Sequence, residues 1–129
     1  MKKNRNPENV HSPVAAYTHQ IEVSGQNRWL VLSGQLGKDD RGVIPEDPIE
    51  QIEIAMENLV RNLHAANMDV KDLVKITFYM VGPIDNSKRR EAVSKVLKEH
   101  TPCMTILYVA ALADPSFKVE VDAWACADS

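Results

Sequence analysis

Residues 101–126 read Thr-Pro-Cys-Met-Thr-Ile-Leu-Tyr-Val-Ala-Ala-Leu-Ala-Asp-Pro-Ser-Phe-Lys-Val-Glu-Val-Asp-Ala-Trp-Ala-Cys. From Phe117 onward the chain alternates. Phe117, Val119, Val121, Ala123 and Ala125 fall on one face of a strand, and Lys118, Glu120, Asp122 and Trp124 on the other. Thr105 to Leu112 is a second β-rich run, and Ala113-Asp114-Pro115-Ser116 between the two carries turn chemistry. The stretch predicts a strand pair with one apolar and one charged face. A charged face on a strand near the middle of a sheet needs a reason, because charges are rarely buried without partners.

Working outward, Leu73 to Val81 predicts another strand, with Val74, Ile76, Phe78 and Met80 on its apolar side and Gly82-Pro83 stopping it. The helix between the two strand regions is expected from Asn86 to His100, burying Ala92, Val93, Val96 and Leu97. Its first turn carries Lys88, Arg89 and Arg90, the wrong sign for the helix dipole. Upstream, Asp47 is a good N-cap, Pro48 suits the first helical position and Glu50 completes a capping-box pattern. Ile49, Ile52, Met56, Leu59, Leu63 and Ala66 then form one helical stripe, and Asn67 suits a left-handed C-terminal cap. Tyr17 to Val23 alternates, Gly25-Gln26-Asn27 reads as a hairpin connection, and Arg28 to Ser33 reads as a central strand ended by Ser33-Gly34-Gln35. Residues 1 to about 12 are polar and expected to be loose.

The order is ββαβαββ in a single domain spanning 1–129, an α+β architecture with two helices packed on one sheet face. No chain is left to cover the other face, so a partner subunit is the expected lid. The 129 residues are 44% hydrophobic and 26% charged, enough for a core without metal or disulfides. The net charge of −3 supplies no basic field for nucleic acid or anionic membrane. Cys103 and Cys126 lack metal or CxxC spacing and read as free thiols. The basic N-terminus is followed by no apolar h-region, and no apolar run approaches the ~20 residues of a membrane span. A cytoplasmic location follows as the expectation.

The residues with chemical potential each have a plain alternative. Glu120 and Asp122 stand roughly 7 Å apart on one strand face, where they can act as general acid and base, or as exposed acids beside Lys118. Ser33-Gly34-Gln35 places a hydroxyl and a flexible backbone at a strand end, or is a structural turn. Lys88-Arg89-Arg90 can bind a carboxylate or phosphate, or form a solvated helix face. Cys103 has no activating His nearby in sequence, so packing is its simpler role. His11, His19, His64 and His100 share no metal-ligand spacing.

Taken in order, Tyr17-Thr18, Ser33-Gly34-Gln35, Asn58-Leu59, Asp69-Val-Lys-Asp-Leu-Val-Lys75, Pro102 and Lys118-Val-Glu-Val-Asp-Ala-Trp-Ala125 resemble the Rid family, the RidA/YjgF-like reactive intermediate deaminases also labelled endoribonuclease L-PSP. The resemblance covers residues 12 to 125. It implies a chorismate-mutase-like fold and a homotrimer whose sheets form a central barrel, with clefts between subunits. It implies hydrolysis of reactive enamines and imines, such as 2-aminoacrylate and its imine, to ammonia and a 2-keto acid, without metal or organic cofactor. In that scheme an Arg grips the substrate carboxylate, the residue matching Glu120 helps place water, and those matching Tyr17, Ser33 and Gly34 line the cleft.

The chain departs from the pattern at two points. Deaminating members carry Pro-x-Arg where this sequence has Pro102-Cys103-Met104, so Met104 stands at the Arg position, beside Cys103. Methionine offers no donor and no charge, and no bidentate clamp forms there. Arg90 aligns with a cleft position that is commonly Asn. Two classes of function stay open: a Rid-type deaminase with altered substrate recognition, and a non-catalytic trimer holding a small metabolite. An L-PSP-type endoribonuclease is the weaker third, opposed by the lack of a basic stripe.

Overall fold

The computed structural model describes residues 1–129. Six strands and two helices follow the order β1 (Lys2–Arg5), β2 (Gln20–Val23), β3 (Asn27–Leu36), α1 (Pro48–Ala65), β4 (Leu73–Met80), α2 (Asn86–Leu97), β5 (Cys103–Tyr108) and β6 (Val119–Asp128). From β2 onward this is the expected ββαβαββ order, an α+β fold with both helices on one face of a mixed sheet.

The sheet order is β3-β6-β4-β5. β6 runs antiparallel to both its neighbours, and β4 pairs with β5 in parallel, which the crossover through α2 permits. Val119, Val121, Ala123 and Ala125 of β6 are fully or almost fully buried with Ile76, Phe78 and Met80 of β4. Over them lie Ile52, Ala55, Met56, Leu59 and Leu63 of α1, each fully buried. Burying side chains of this size is worth roughly 1.5–3 kcal/mol each, so the α1 stripe is a main source of stability. The Asp47 carboxylate accepts from Ile49 N at 2.9 Å with Pro48 behind it, and Asn67 ends the helix at φ 56°. The reciprocal capping bond expected of Glu50 is absent; the box forms instead at Asp69 and Asp72, around a single helical turn at Val70–Asp72.

Several expectations are corrected. Residues 1–12 are not wholly loose, because Lys2–Arg5 pairs antiparallel with Gln20–Val23. Polar contacts hold this strand: Arg5 bonds Glu22 at 2.6 Å and Gln20 at 2.9 Å, and the N-terminal ammonium reaches Ser24 O at 2.6 Å. Hydropathy carries no trace of such pairing. β2 and β3 are joined at Gly25 but do not pair, since β2 takes β1 and β3 takes β6. β3 is an edge strand, with Trp29 51% and Val31 56% exposed. Its two-sided apolar look reflects an uncovered face and not burial. β5 and β6 are not neighbours, because β4 lies between them. Ser33-Gly34-Gln35 does not end β3 but makes an irregularity inside it, where the register shifts between Leu32 and Gln35. α2 stops at Leu97, and Lys98 turns the chain at φ 54°. No helix is long and apolar enough to cross a membrane.

A buried amide ties the loops to this frame. Gln51 Nε2 donates to Pro45 O at 2.8 Å and Ser116 O at 2.9 Å, while its Oε1 accepts from Lys118 N at 2.8 Å. Gly37 sits against the same residue, and a Cβ there would stand 2.6 Å from Gln51 Cα. Gln51→Leu leaves Lys118 N–H and two carbonyls without these partners, at a cost of roughly 2–4 kcal/mol. Chemical denaturation should show that loss as a lower midpoint, and an unchanged midpoint would mean the amide is dispensable.

Candidate functional site

The alternation of β6 leaves Glu120, Asp122 and Trp124 on the sheet face that no helix covers. Lys75, Thr77 and Tyr79 of β4 share that face through their pairing with β6. Tyr79 OH donates to Asp122 Oδ2 at 2.9 Å, and this bond, with some burial, raises the phenol above its ordinary pKa. Asp122 is therefore engaged within the sheet, and Glu120 is the freer carboxylate.

Glu120 owes its position to a glycine on the neighbouring strand. A Cβ at Gly34 would fall on the Glu120 carboxylate, within 2.5 Å of its Cδ. The side chain thus lies across the β3 irregularity, toward the free edge of the sheet. Ser33, exposed on the same irregular segment, is beside it. Ser33, Gly34 and Glu120 form one cluster at the β3 edge.

The opposite edge, β5, carries the rest. Met104 pairs with Ile76 and turns toward the helices, where it packs against the core. A groove of about 440 Å³ opens there, between α2, β5 and the segment Val14–Ala16. Arg89, Arg90, Lys98 and His100 line it among apolar walls that include Val93, Leu97, Met104 and Ile106. Arg90 is exposed at the rim. Arg89, expected to be solvated, is 9% exposed, and its Nη1 donates to Asn86 Oδ1 at 3.3 Å.

On the other side of β5 lies a shallow hollow lined by Tyr17, His19, Lys75, Cys103 and Thr105. Lys75 Nζ donates to Thr105 Oγ1 at 2.7 Å. Thr18 fastens the segment to the start of β5, its hydroxyl donating to Thr101 O at 2.6 Å and its N–H to Pro102 O at 3.3 Å. Burial pushes the Cys103 thiol above its ordinary pKa, with Lys75 offsetting part of the effect. A raised thiol pKa suits packing and not nucleophilic attack.

The expected site residues therefore separate into two groups within one chain. Tyr17, Arg90, Cys103 and Met104 gather at the β5 edge, and Ser33, Gly34 and Glu120 at the β3 edge. Cys103 and Glu120 stand two strands and about four residue steps apart, on the order of 16 Å. Arg89 was missed as a burial candidate because a run of three cations reads as solvent-facing. Its spacing of three to Ala92 and four to Val93 was the available signal. Lys75 carried no signal beyond strand alternation. No group of three or more His, Cys, Asp and Glu side chains is placed to hold a metal ion.

Comparison with known proteins adds a family. The model of the endoribonuclease L-PSP family matches residues 8–127. The RutC family protein UK114 of Drosophila melanogaster is 31% identical over 106 residues, 81% of this chain and 75% of that protein. The Rid family protein YyfB of Yersinia pestis superposes with a TM-score of 0.82 at 24% identity, covering 98% of each chain. RidA from an Antarctic Psychrobacter superposes at 0.70 with 25% identity, over 95% of this chain and 98% of that one.

The Tyr79–Asp122 bond is open to titration. Asp122→Asn removes the charge that resists phenolate formation, so Tyr79 should ionise at lower pH than in the wild type. Ultraviolet difference spectra of the phenolate across alkaline pH measure this, and an unmoved tyrosine titration would contradict the bond.

Proposed function

The chain belongs to the endoribonuclease L-PSP family, which takes in the Rid and RutC proteins, and from that premise we propose that it binds a small enamine, imine or keto-acid-like metabolite in clefts between subunits of a homotrimer. The proposed reaction is hydrolytic deamination of an imine or enamine, with substrate recognition altered by Met104. One observation carries the reading. The two halves of the candidate site lie at the two free edges of a single sheet, β3 and β5.

Unpaired edges invite pairing with another chain, and identical subunits related by rotation satisfy them in a closed ring. In such a ring the β5 edge of one subunit meets the β3 edge of the next. Glu120, with Ser33 and Gly34, is then set beside the neighbour's β5 edge, where Tyr17 and Cys103 line the open-face hollow and Met104 and Arg90 the groove around the edge. Trp29, Val31 and Trp124 favour the same arrangement. They are exposed on the uncovered sheet face, with the two indoles edge to face at 6.2 Å.

In that cleft Glu120 orients a water and takes its proton as the oxygen attacks the C=N carbon. The resulting carbinolamine receives the proton on nitrogen and collapses to ketone and ammonia. No metal or organic cofactor enters this scheme. Cys103 and Cys126 are both unpaired, which fits the reducing cytoplasm as the proposed location.

Met104 weakens the hold on a small carboxylate. Losing a charge-assisted bidentate clamp costs roughly 2–5 kcal/mol, or about 30- to 5000-fold in rate. Imines of the 2-aminoacrylate type, generated enzymatically and followed by ammonia release, should be hydrolysed correspondingly slowly, and Met104→Arg should raise the rate. Wild-type rates equal to those of Arg-bearing relatives would show that the clamp was not lost here. No ammonia from any imine, with metabolite binding intact, would favour a non-catalytic binding trimer. Sedimentation at micromolar concentration should give three times the 14.4 kDa chain mass. A monomer would remove the inter-subunit cleft altogether.

A further inference from the structure

We propose that the groove between α2 and β5 is built for a carboxylate that carries a bulky apolar substituent, with Arg89 as the carboxylate anchor. This rests on the cleft reading above and names the substrate class.

The starting point is an unpaired charge. Arg89 is 9% exposed, and its one hydrogen bond goes to the neutral Asn86 amide at 3.3 Å. No ion pair forms with it. Arginine does not deprotonate in proteins, so burial cannot be relieved by neutralisation as it can for lysine. Most of the residue is covered, yet none of its side-chain nitrogens is both buried and unpartnered, so those that Asn86 does not meet open onto the groove and are free to bond an anion there. Arg90, Lys98 and His100 surround the same space, and Glu91, the one acid on its wall, is turned to Lys95 at 3.9 Å. The lining therefore sets Arg89, Arg90 and Lys98, with His100, against a single acid, Glu91.

The remainder of the lining sets the second requirement. Val93 and Leu97 on α2 and Met104 and Ile106 on β5 add apolar surface to the same groove. Met104 has a double effect: it withdraws the strand-side donor and adds a flexible apolar wall, which adapts to a larger substituent. The carboxylate is gripped from the helix and not the strand, and the substituent lies along β5. A branched or aromatic 2-oxo acid or its imine fits both requirements, whereas pyruvate meets only the first.

The test measures binding by calorimetry on the wild-type protein, with 4-methyl-2-oxopentanoate, phenylpyruvate, pyruvate and 4-methyl-2-oxopentanamide as probes. The two bulky acids should bind about tenfold or more tighter than pyruvate, and the uncharged amide about 30-fold or more weaker than its acid. Arg89→Met should abolish the preference of acid over amide, and Arg89→Lys should restore part of it. Equal affinity for acid and amide, or pyruvate binding as tightly as the bulky acids, overturns the proposal. If Arg89→Met fails to fold, the acid–amide comparison on the wild type decides alone. Because binding is read without turnover, tight binding of the bulky acids without ammonia release from their imines would sink the deaminase reading and leave this one standing. Ammonia release with no acid–amide preference would do the reverse.

Discussion

β6 pairs with β3 to its end at Asp128 and with β4 from Val119 to Ala125, and this double pairing is the constraint from which the rest follows. A strand held on both edges cannot rotate to hide one set of side chains. Its two faces must be satisfied separately. The face of Val119, Val121, Ala123 and Ala125 is met by α1, and the small Ala123 and Ala125 let the helix approach closely. The face of Glu120, Asp122 and Trp124 has no such cover. Asp122 is met by Tyr79 and Glu120 by the gap at Gly34, so the polar face is arranged without being buried.

That arrangement explains why site residues collect at the sheet edges. Interior positions of the open face are engaged by cross-strand partners, as Tyr79 and Asp122 are. At the edges the partners run out. The β3 irregularity turns Ser33 and Gly34 outward beside Glu120, while β5 offers its helix-facing side chains to a groove and the others to the Tyr17 hollow. Edges that would be an aggregation liability in a lone subunit become the walls of a cleft when a symmetric neighbour meets them. Two tryptophans at 6.2 Å leave apolar surface on the uncovered face, which is the surface the proposed trimer would cover.

The sequence was most legible where one period governed a long segment. The α1 stripe, the β6 faces and β4 from Ile76 onward stand as expected, because each element has one apolar side and packing follows it; at the start of β4 an irregularity puts Leu73, and not Val74, in the core. Pairing was less legible. The β2–β3 hairpin failed because a turn signal fixes only a reversal of direction, not which strands share hydrogen bonds. β1 was invisible because ion pairs and backbone bonds hold it, and its residues, Lys2 to Arg5, look solvated in isolation. Family resemblance placed Met104 and Arg90 as cleft residues, and both line one groove. It did not show that the Glu120 side chain reaches over β3 at Gly34, two strands away from β5, since linear order carries no information about strand order in a sheet.

Arg89 shows why charge runs need helical geometry before they are assigned to solvent. Lys88, Arg89 and Arg90 are spread over about 200° of helix circumference, since successive residues turn by ~100°. That arc leaves only about 160° of the helix free of cations, and the face packed here takes in Arg89. Asp85 caps the helix, accepting from Lys88 N at 2.9 Å, and its negative charge offsets part of the unfavourable dipole interaction of the run. The cap makes the cluster tolerable, but Asp85 forms no ion pair with Arg89, whose side-chain partner is Asn86. A helix selected for stability alone would replace that arginine by leucine or methionine, which would extend the stripe of Ala92 and Leu97 at no electrostatic cost. Arg89 and Met104 line the same groove, so in the proposed binding mode the cation stands on the helix and not on the strand.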